Sequence, residues 1–288
     1  MEEINKLKNL ERYSDEEIAG FLDTVESKLV ELSDQELKEL FSILVNILTK
    51  TRGFASKRAE EILDSLYPKM RWEIIHLLWS DIPYIRNTAL TIIAHHKDRE
   101  ATLKLIKDKD KDIRKFALDI AFEMGDTEIL EMGLDDDDPN VVVSSAEYLA
   151  RLGSDAALGK IIDKVRQIPS EDIYLLLFLF ESLIRLGYTD SAKVIQEKFP
   201  DVSDPLIKDI YIRACGISND IKYIDFLLSV LDDESVRKIA LESIFSIIRQ
   251  VQVKDEEMKN KIRREIESRL TKMNPSELEV AGKILTAI

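Results

Sequence analysis

Cysteine is nearly absent. A single thiol, Cys215, in 288 residues excludes an internal disulfide framework and fits a reducing cytoplasm, the expected location. Glycine and proline are also scarce, at 9 and 7, which leaves little room for long irregular loops. A basic excess is missing: 41 Lys and Arg stand against 55 Asp and Glu, a net charge of −14. Phosphate backbones and anionic membrane surfaces are bound through Lys and Arg, so neither nucleic acid nor a membrane is an expected partner. No apolar run approaches the roughly 20 residues that span a bilayer. The longest is Ile173 to Phe180, and Met1 to Lys6 lacks the apolar core of a signal peptide. Asn and Gln are sparse beside Lys and Glu, a balance that leans towards a thermophilic source.

What is present is a repeat. Ile85, Ile113 and Val141 anchor three segments that align without gaps in a 28-residue register. Looser copies are anchored at Ala55, Ile173, Ile207 and Val236. After each anchor, small or apolar residues recur at +4 and at +7 or +8, as on the apolar face of a helix. Gly125, Gly153 and Gly187 close these helices, and Asp126, Ser154 and Asp190 open the next. Small residues at +4 (Ala89, Ala117, Ser145, Ala240) permit close helix approach. Asp110, Asp138, Asp204 and Asp233 are placed to cap helix N-termini. The basic residues after the anchors (Arg86, Arg114, Lys208, Arg237) are expected to pair with acidic residues such as Asp110 and Asp138 of a neighbouring repeat, forming a ladder. Ser14 to Glu17, Ser33 to Glu36 and Asn274-Pro275 read as helix starts in terminal caps.

The segment from Asp137-Asp-Pro-Asn-Val through Leu152-Gly153 to Leu158, with Asp112-Ile-Arg through Gly125 to Leu130, resembles the short HEAT repeat of the phycobilisome-lyase-like group. The likeness covers about residues 55 to 250 and departs at Val142, where Arg is expected, and in the stretched spacing of 173 to 211. It implies an all-α fold: a right-handed α-solenoid of about seven HEAT-like helix pairs, with an N-terminal cap (1–50), repeats (51–253) and a C-terminal cap (254–288). The likeness says almost nothing about activity; the role expected of such an elongated solenoid is a non-catalytic scaffold that binds a protein or peptide on its concave face. Two alternatives stand beside it: an enzyme or enzyme subunit of the lyase or DNA glycosylase kind, and a self-associating structural protein. HEAT-repeat hydroxylases bind iron through His-Glu pairs, a dipeptide this chain does not contain.

Candidate sites are few. His95 and His96 with Asp98 are the nearest thing to a metal cluster, but adjacent histidines face different sides of a helix, so a surface pair is expected, with no metal and no cofactor. Asp135 to Asp138 lacks the Gly and distal Glu of a calcium loop and reads as a solvated helix cap. Cys215 reads as a buried structural thiol. Trp72, His76 and Trp79 share one helix face, as a core stripe or as a stacking surface. Most repeats are polar at +2 and +6, as at Asn87 and Thr91, whereas Val143, Leu175 and Leu179 are apolar there. These three are the expected centre of a docking groove, with Trp72, His76 and Trp79 as its second location.

Overall fold

The computed structural model describes residues 2–288, and all regular structure among them is helical. In chain order the α-helices are α1 (Glu2–Leu7), α2 (Asp15–Glu26), α3 (Asp34–Lys50), α4 (Phe54–His76), α5 (Pro83–His95), α6 (Arg99–Leu105), α7 (Lys111–Met124), α8 (Thr127–Gly133) and α9 (Pro139–Arg151). They continue as α10 (Asp155–Gln167), α11 (Ile173–Arg185), α12 (Ser191–Lys198), α13 (Pro205–Ile217), α14 (Ile224–Ser229), α15 (Arg237–Val251), α16 (Glu256–Glu267) and α17 (Pro275–Ala287). No helix among the described residues is long and apolar enough to cross a membrane.

Local chemistry sets the boundaries. Ser14, Ser33 and Asn274 each close a full capping box with the glutamate three residues on. Pro83, Pro139, Pro205 and Pro275 occupy first helical positions, where a missing N–H costs nothing. Asp110, Asp138 and Asp204 accept backbone N–H bonds as N-caps. Gly125, Gly153 and Gly187 all adopt positive φ, the left-handed conformation that ends a helix. Pro68 lies inside α4, and Met70 just after it leaves helical geometry (φ −124°, ψ 34°), so the helix kinks there.

The chain forms two compact units, residues 1–129 and 130–288. In the first, α2 and α3 pack on α4, α4 on α5, and α5 on α7, which α6 backs. In the second, α9, α11, α13, α15 and α17 pack in succession, with α10, α12 and α14 against them. Each unit is thus a set of helix pairs stacked in chain order, the repeat architecture expected from the sequence. The +4 residues Ala89, Ala117, Ser145 and Ala240 are fully buried. Helices α13 and α15 approach closely: a Cβ on Gly216 would meet Ser243 Cα at 2.9 Å. Ser243 Oγ donates to Ile212 O at 3.0 Å across this seam.

The basic residues after the anchors make both inter-repeat and local contacts. One expected type of rung forms, Lys208 Nζ to Asp233 at 2.7 Å. Arg86, Arg114 and Arg237 also turn back six residues to the carbonyls of Ser80 (2.6 Å), Asp108 (2.9 Å) and Leu231 (2.6 Å), and Arg237 crosses to Glu277 of α17 at 3.6 Å. Side chains directly after an anchor lie over the preceding turn, where open carbonyls are the nearest acceptors. Asp110 and Asp138 cap α7 and α9. The inter-repeat rungs of the first unit sit on the other helix row. Arg71 takes Asp98 (2.7 Å) and Glu100 (3.2 Å), and Arg99 takes Asp126 (2.6 Å) and Glu128 (2.5 Å). Both arginines, both aspartates and both glutamates are related by the 28-residue register.

Candidate functional site

The apolar groove expected around Val143, Leu175 and Leu179 is not what the second unit presents. Leu179 is completely buried, and Val143 and Leu175 are half-buried. The reason is register. Counted from Leu176, the buried Leu179, Phe180 and Leu183 of α11 repeat the +3, +4 and +7 places that Thr88, Ala89 and Ile92 hold after Ile85 in α5, whereas Ile173 is only half-buried. The anchor of α11 is therefore Leu176, not Ile173. The apolar surface of this helix is Tyr174 with Phe178, two rings in edge contact at 4.9 Å.

The second expected location is at the surface. Trp72 and Trp79 are 45 % and 46 % exposed, which removes the core-stripe alternative. Trp72 lies against two cations, Arg71 (4.9 Å) and Lys104 (4.6 Å). Helix α4 ends at His76, whose Nδ1 lies 2.8 Å from Trp72 O, and Trp79 follows in a 3₁₀ turn with its ring 5.6 Å from that of His76.

Cys215 is buried, and burial pushes its thiol up to about 12 despite the Tyr211 hydroxyl, so it holds no thiolate at neutral pH. Asp136 and Asp138 of the four-aspartate run fold into the cap turn of α9.

A concavity of about 590 Å³ lies in the first unit, between α4 and α5 with Glu26 of α2 at its edge. Helix α5 contributes a polar stripe of Tyr84, Asn87, Thr88, Thr91 and His95, at helical spacing on one face. Asn87 and Thr91 are the +2 and +6 positions of the first gapless repeat, so here these offsets do line a groove. Helix α4 contributes Arg58, Glu60, Glu61, Asp64 and Ser65. Four carboxylates thus face one guanidinium. Arg58 is held by Glu61, by Glu26 (2.5 Å) and by Asp23 (2.7 Å), and these contacts, Glu61 first, raise its pKa further. Glu60 and Asp64 have only neutral or weakly basic partners. Thr88 Oγ1 lies 3.0 Å from Glu60, and burial and Glu60 together raise the Tyr84 phenol above its ordinary value. Asp64 Oδ1 lies 2.8 Å from His95 Nδ1 and 3.4 Å from His96 Nε2.

Those two histidines do not part company as expected. Successive helical side chains diverge by about 100°, but Asp64 stands in the seam between α4 and α5, and the two rings straddle it. Asp98, expected beside them, is engaged elsewhere. It accepts from Tyr67 Oη at 2.6 Å and from Arg71. Burial alone would raise its carboxyl, but the Arg71 and Tyr67 hydrogen bonds outweigh that and hold it down at about 2. Among the described residues no nucleophilic side chain is hydrogen-bonded to His95, and Ser65 Oγ donates to Glu61 O.

The sequence matches no protein-family model and no curated protein. Among solved structures, it is similar to an engineered protein, at 18 % identity and a TM-score of 0.49 over 94 % of this chain and 82 % of that one. It is also similar to a chain of the CpcE–CpcF complex of phycocyanin lyase from Nostoc sp., at 16 % identity and a TM-score of 0.42 over 75 % of this chain and 93 % of that one. At these scores neither likeness adds to the fold, which rests on the chain's own helix pairs.

Proposed function

We propose that the chain is a short-repeat HEAT-like scaffold, non-catalytic, whose docking surface is the acidic cleft of the first unit. Its partner is a protein segment bearing lysine or arginine. The observation that carries this reading is the charge of the cleft: Glu26, Glu60, Glu61 and Asp64 against Arg58 alone, on a chain whose net charge is −14. A cation about 4 Å from one carboxylate gains about 4 kcal/mol of Coulomb energy at the effective dielectric of a protein surface, before desolvation. Two carboxylates already tied to Arg58 contribute less and Asp64 is engaged by His95, so Glu60 is the anchor. The hydroxyl-lined wall of α5 supplies hydrogen bonds without charge. Nucleic acid and membrane surfaces carry the wrong charge for the cleft.

The test is fluorescence anisotropy with labelled ten-residue peptides carrying zero to four lysines. Affinity should rise with lysine count and fall with added salt. Glu60→Gln should weaken the four-lysine peptide about fivefold, while Glu279→Gln, on α17 and paired with Lys283, leaves it unchanged. Equal affinity for neutral and cationic peptides, or equal loss in both variants, overturns the reading.

A further inference from the structure

The carboxylate of Asp64 is approached by two imidazoles at once, and this arrangement reaches beyond the docking of a cationic segment. The donor atoms of Asp64, His95 and His96 all lie within 4.8 Å of one another. His95 offers Nδ1 and His96 offers Nε2, both towards the same oxygen, Asp64 Oδ1. His96 Nε2 also lies 3.0 Å from the Asp64 carbonyl oxygen, which keeps its ring at the seam. We infer that Asp64, His95 and His96 form a binding site for one divalent transition-metal ion of the zinc class.

Two of the three edges suit such an ion, and the third is within 4.8 Å. With metal–ligand bonds of about 2.0–2.2 Å, tetrahedral ligands stand roughly 3.3 Å apart. The His96–Asp64 edge is already 3.4 Å, and the His95–Asp64 edge of 2.8 Å must open by about half an ångström. Two imidazoles and a carboxylate favour zinc, cobalt, nickel or copper over magnesium and calcium, which prefer all-oxygen shells. One ligand is held in place in advance: the Tyr67 ring stacks on His96 at 4.6 Å with 22° between planes. Tyr67 is itself fixed through its hydroxyl to Asp98. His95, with its side chain 68 % exposed, gives the ion its entry route, and Asp64 and His95 both line the cleft. Three protein ligands leave at least one coordination position open towards it. Glu60 and Glu61 nearby add negative potential without occupying the site.

The experiment is calorimetric titration of Zn²⁺ alone into the full chain stripped with chelator, with no partner present, so that its outcome is separate from that of peptide docking. One ion per chain should bind. His95→Ala, His96→Ala and Asp64→Asn should each weaken binding tenfold or more, and His76→Ala, on α4 outside the cluster, should not. Co²⁺ should give a visible tetrahedral spectrum that His95→Ala abolishes. Since His96 is stacked on Tyr67, its variant is read together with its melting temperature. His95 is exposed enough for its substitution to leave the fold intact. No binding at micromolar Zn²⁺, or equal affinity in wild type and His95→Ala, or loss in His76→Ala, overturns the inference.

Discussion

Asp98 serves three neighbours at one position. Its side chain caps α6 by accepting from Ala101 N at 3.0 Å, takes the Tyr67 hydroxyl at 2.6 Å, and receives both arms of Arg71, which also reaches Glu100. With its pKa held at about 2, against an ordinary 3.8, the carboxylate stabilises the fold wherever it is ionised. The sign follows from linkage. A depressed carboxyl contributes its full stability above the unfolded value and loses it as pH falls towards the folded one. The contribution is about 2 kcal/mol at neutral pH. Asp98→Asn keeps the N-cap through its Oδ1, because Asn caps helices as well as Asp, and removes the charge together with the oxygen that accepts from Tyr67 and one arm of Arg71. Its melting temperature should lie several degrees below wild type at pH 7, and the gap should begin to close near pH 4 and narrow further towards pH 3. A gap that does not change with pH would show that shape, not charge, holds Arg71. The sequence contained this rung in the paired triplets Asp98-Arg-Glu100 and Asp126-Thr-Glu128. It stayed hidden because the arginines that answer them sit a whole repeat earlier. The same distance concealed the Asp64 partner of His95 and His96.

Helix α11 shows where periodicity stops informing. Eight apolar residues in a row, Ile173 to Phe180, have no period, so nothing in the run marks which side faces inward. In α5, α7 and α9 the polar residues between anchors fix the face, and their starts, caps and buried small residues were all legible. In α11 the anchor slips by three residues to Leu176, and the +4 place, small in most repeats, is filled by Phe180, which meets Phe199 edge-on at 6.2 Å. A large ring there accounts for the departure from the regular pattern of small +4 residues. The corrected register makes a paired prediction. Leu179→Asp puts a charge into the core and should cost about 3 kcal/mol or more, roughly 10 °C of melting temperature for a chain of this size. Tyr174→Asp, at a position 72 % exposed in the first turn, where the helix dipole favours an acid, should move it by less than about 2 °C. Thermal scans of the two variants decide between the registers: equal losses would return the anchor to Ile173.

At the scale of the whole molecule the dominant quantity is charge, which the sequence states outright, while the division into two units is written nowhere in it. The 28-residue register runs unbroken from Ile113 to Val141, across the boundary between residues 129 and 130. Net charge alone does not exclude nucleic acid, since a local basic patch suffices for phosphate contacts. The place to look is the surface of Trp72, where an aromatic ring and two cations meet as they do in proteins that stack on bases. Its cations are already answered, however. Arg71 is held by Asp98 and Glu100, and Lys104 by Glu100 at 2.7 Å. A phosphate arriving there must displace a carboxylate and remain beside it, so it gains little from counterion release. The expected outcome is no binding of a labelled 20-base-pair duplex at up to about 10 µM protein in about 100 mM salt, within the range where non-specific binders already respond. Glu100→Gln frees part of both cations and should be the variant most prone to weak, salt-sensitive association. Binding by the wild-type chain below about 10 µM, lost on Trp72→Ala, would move the functional surface from the acidic cleft to the aromatic one.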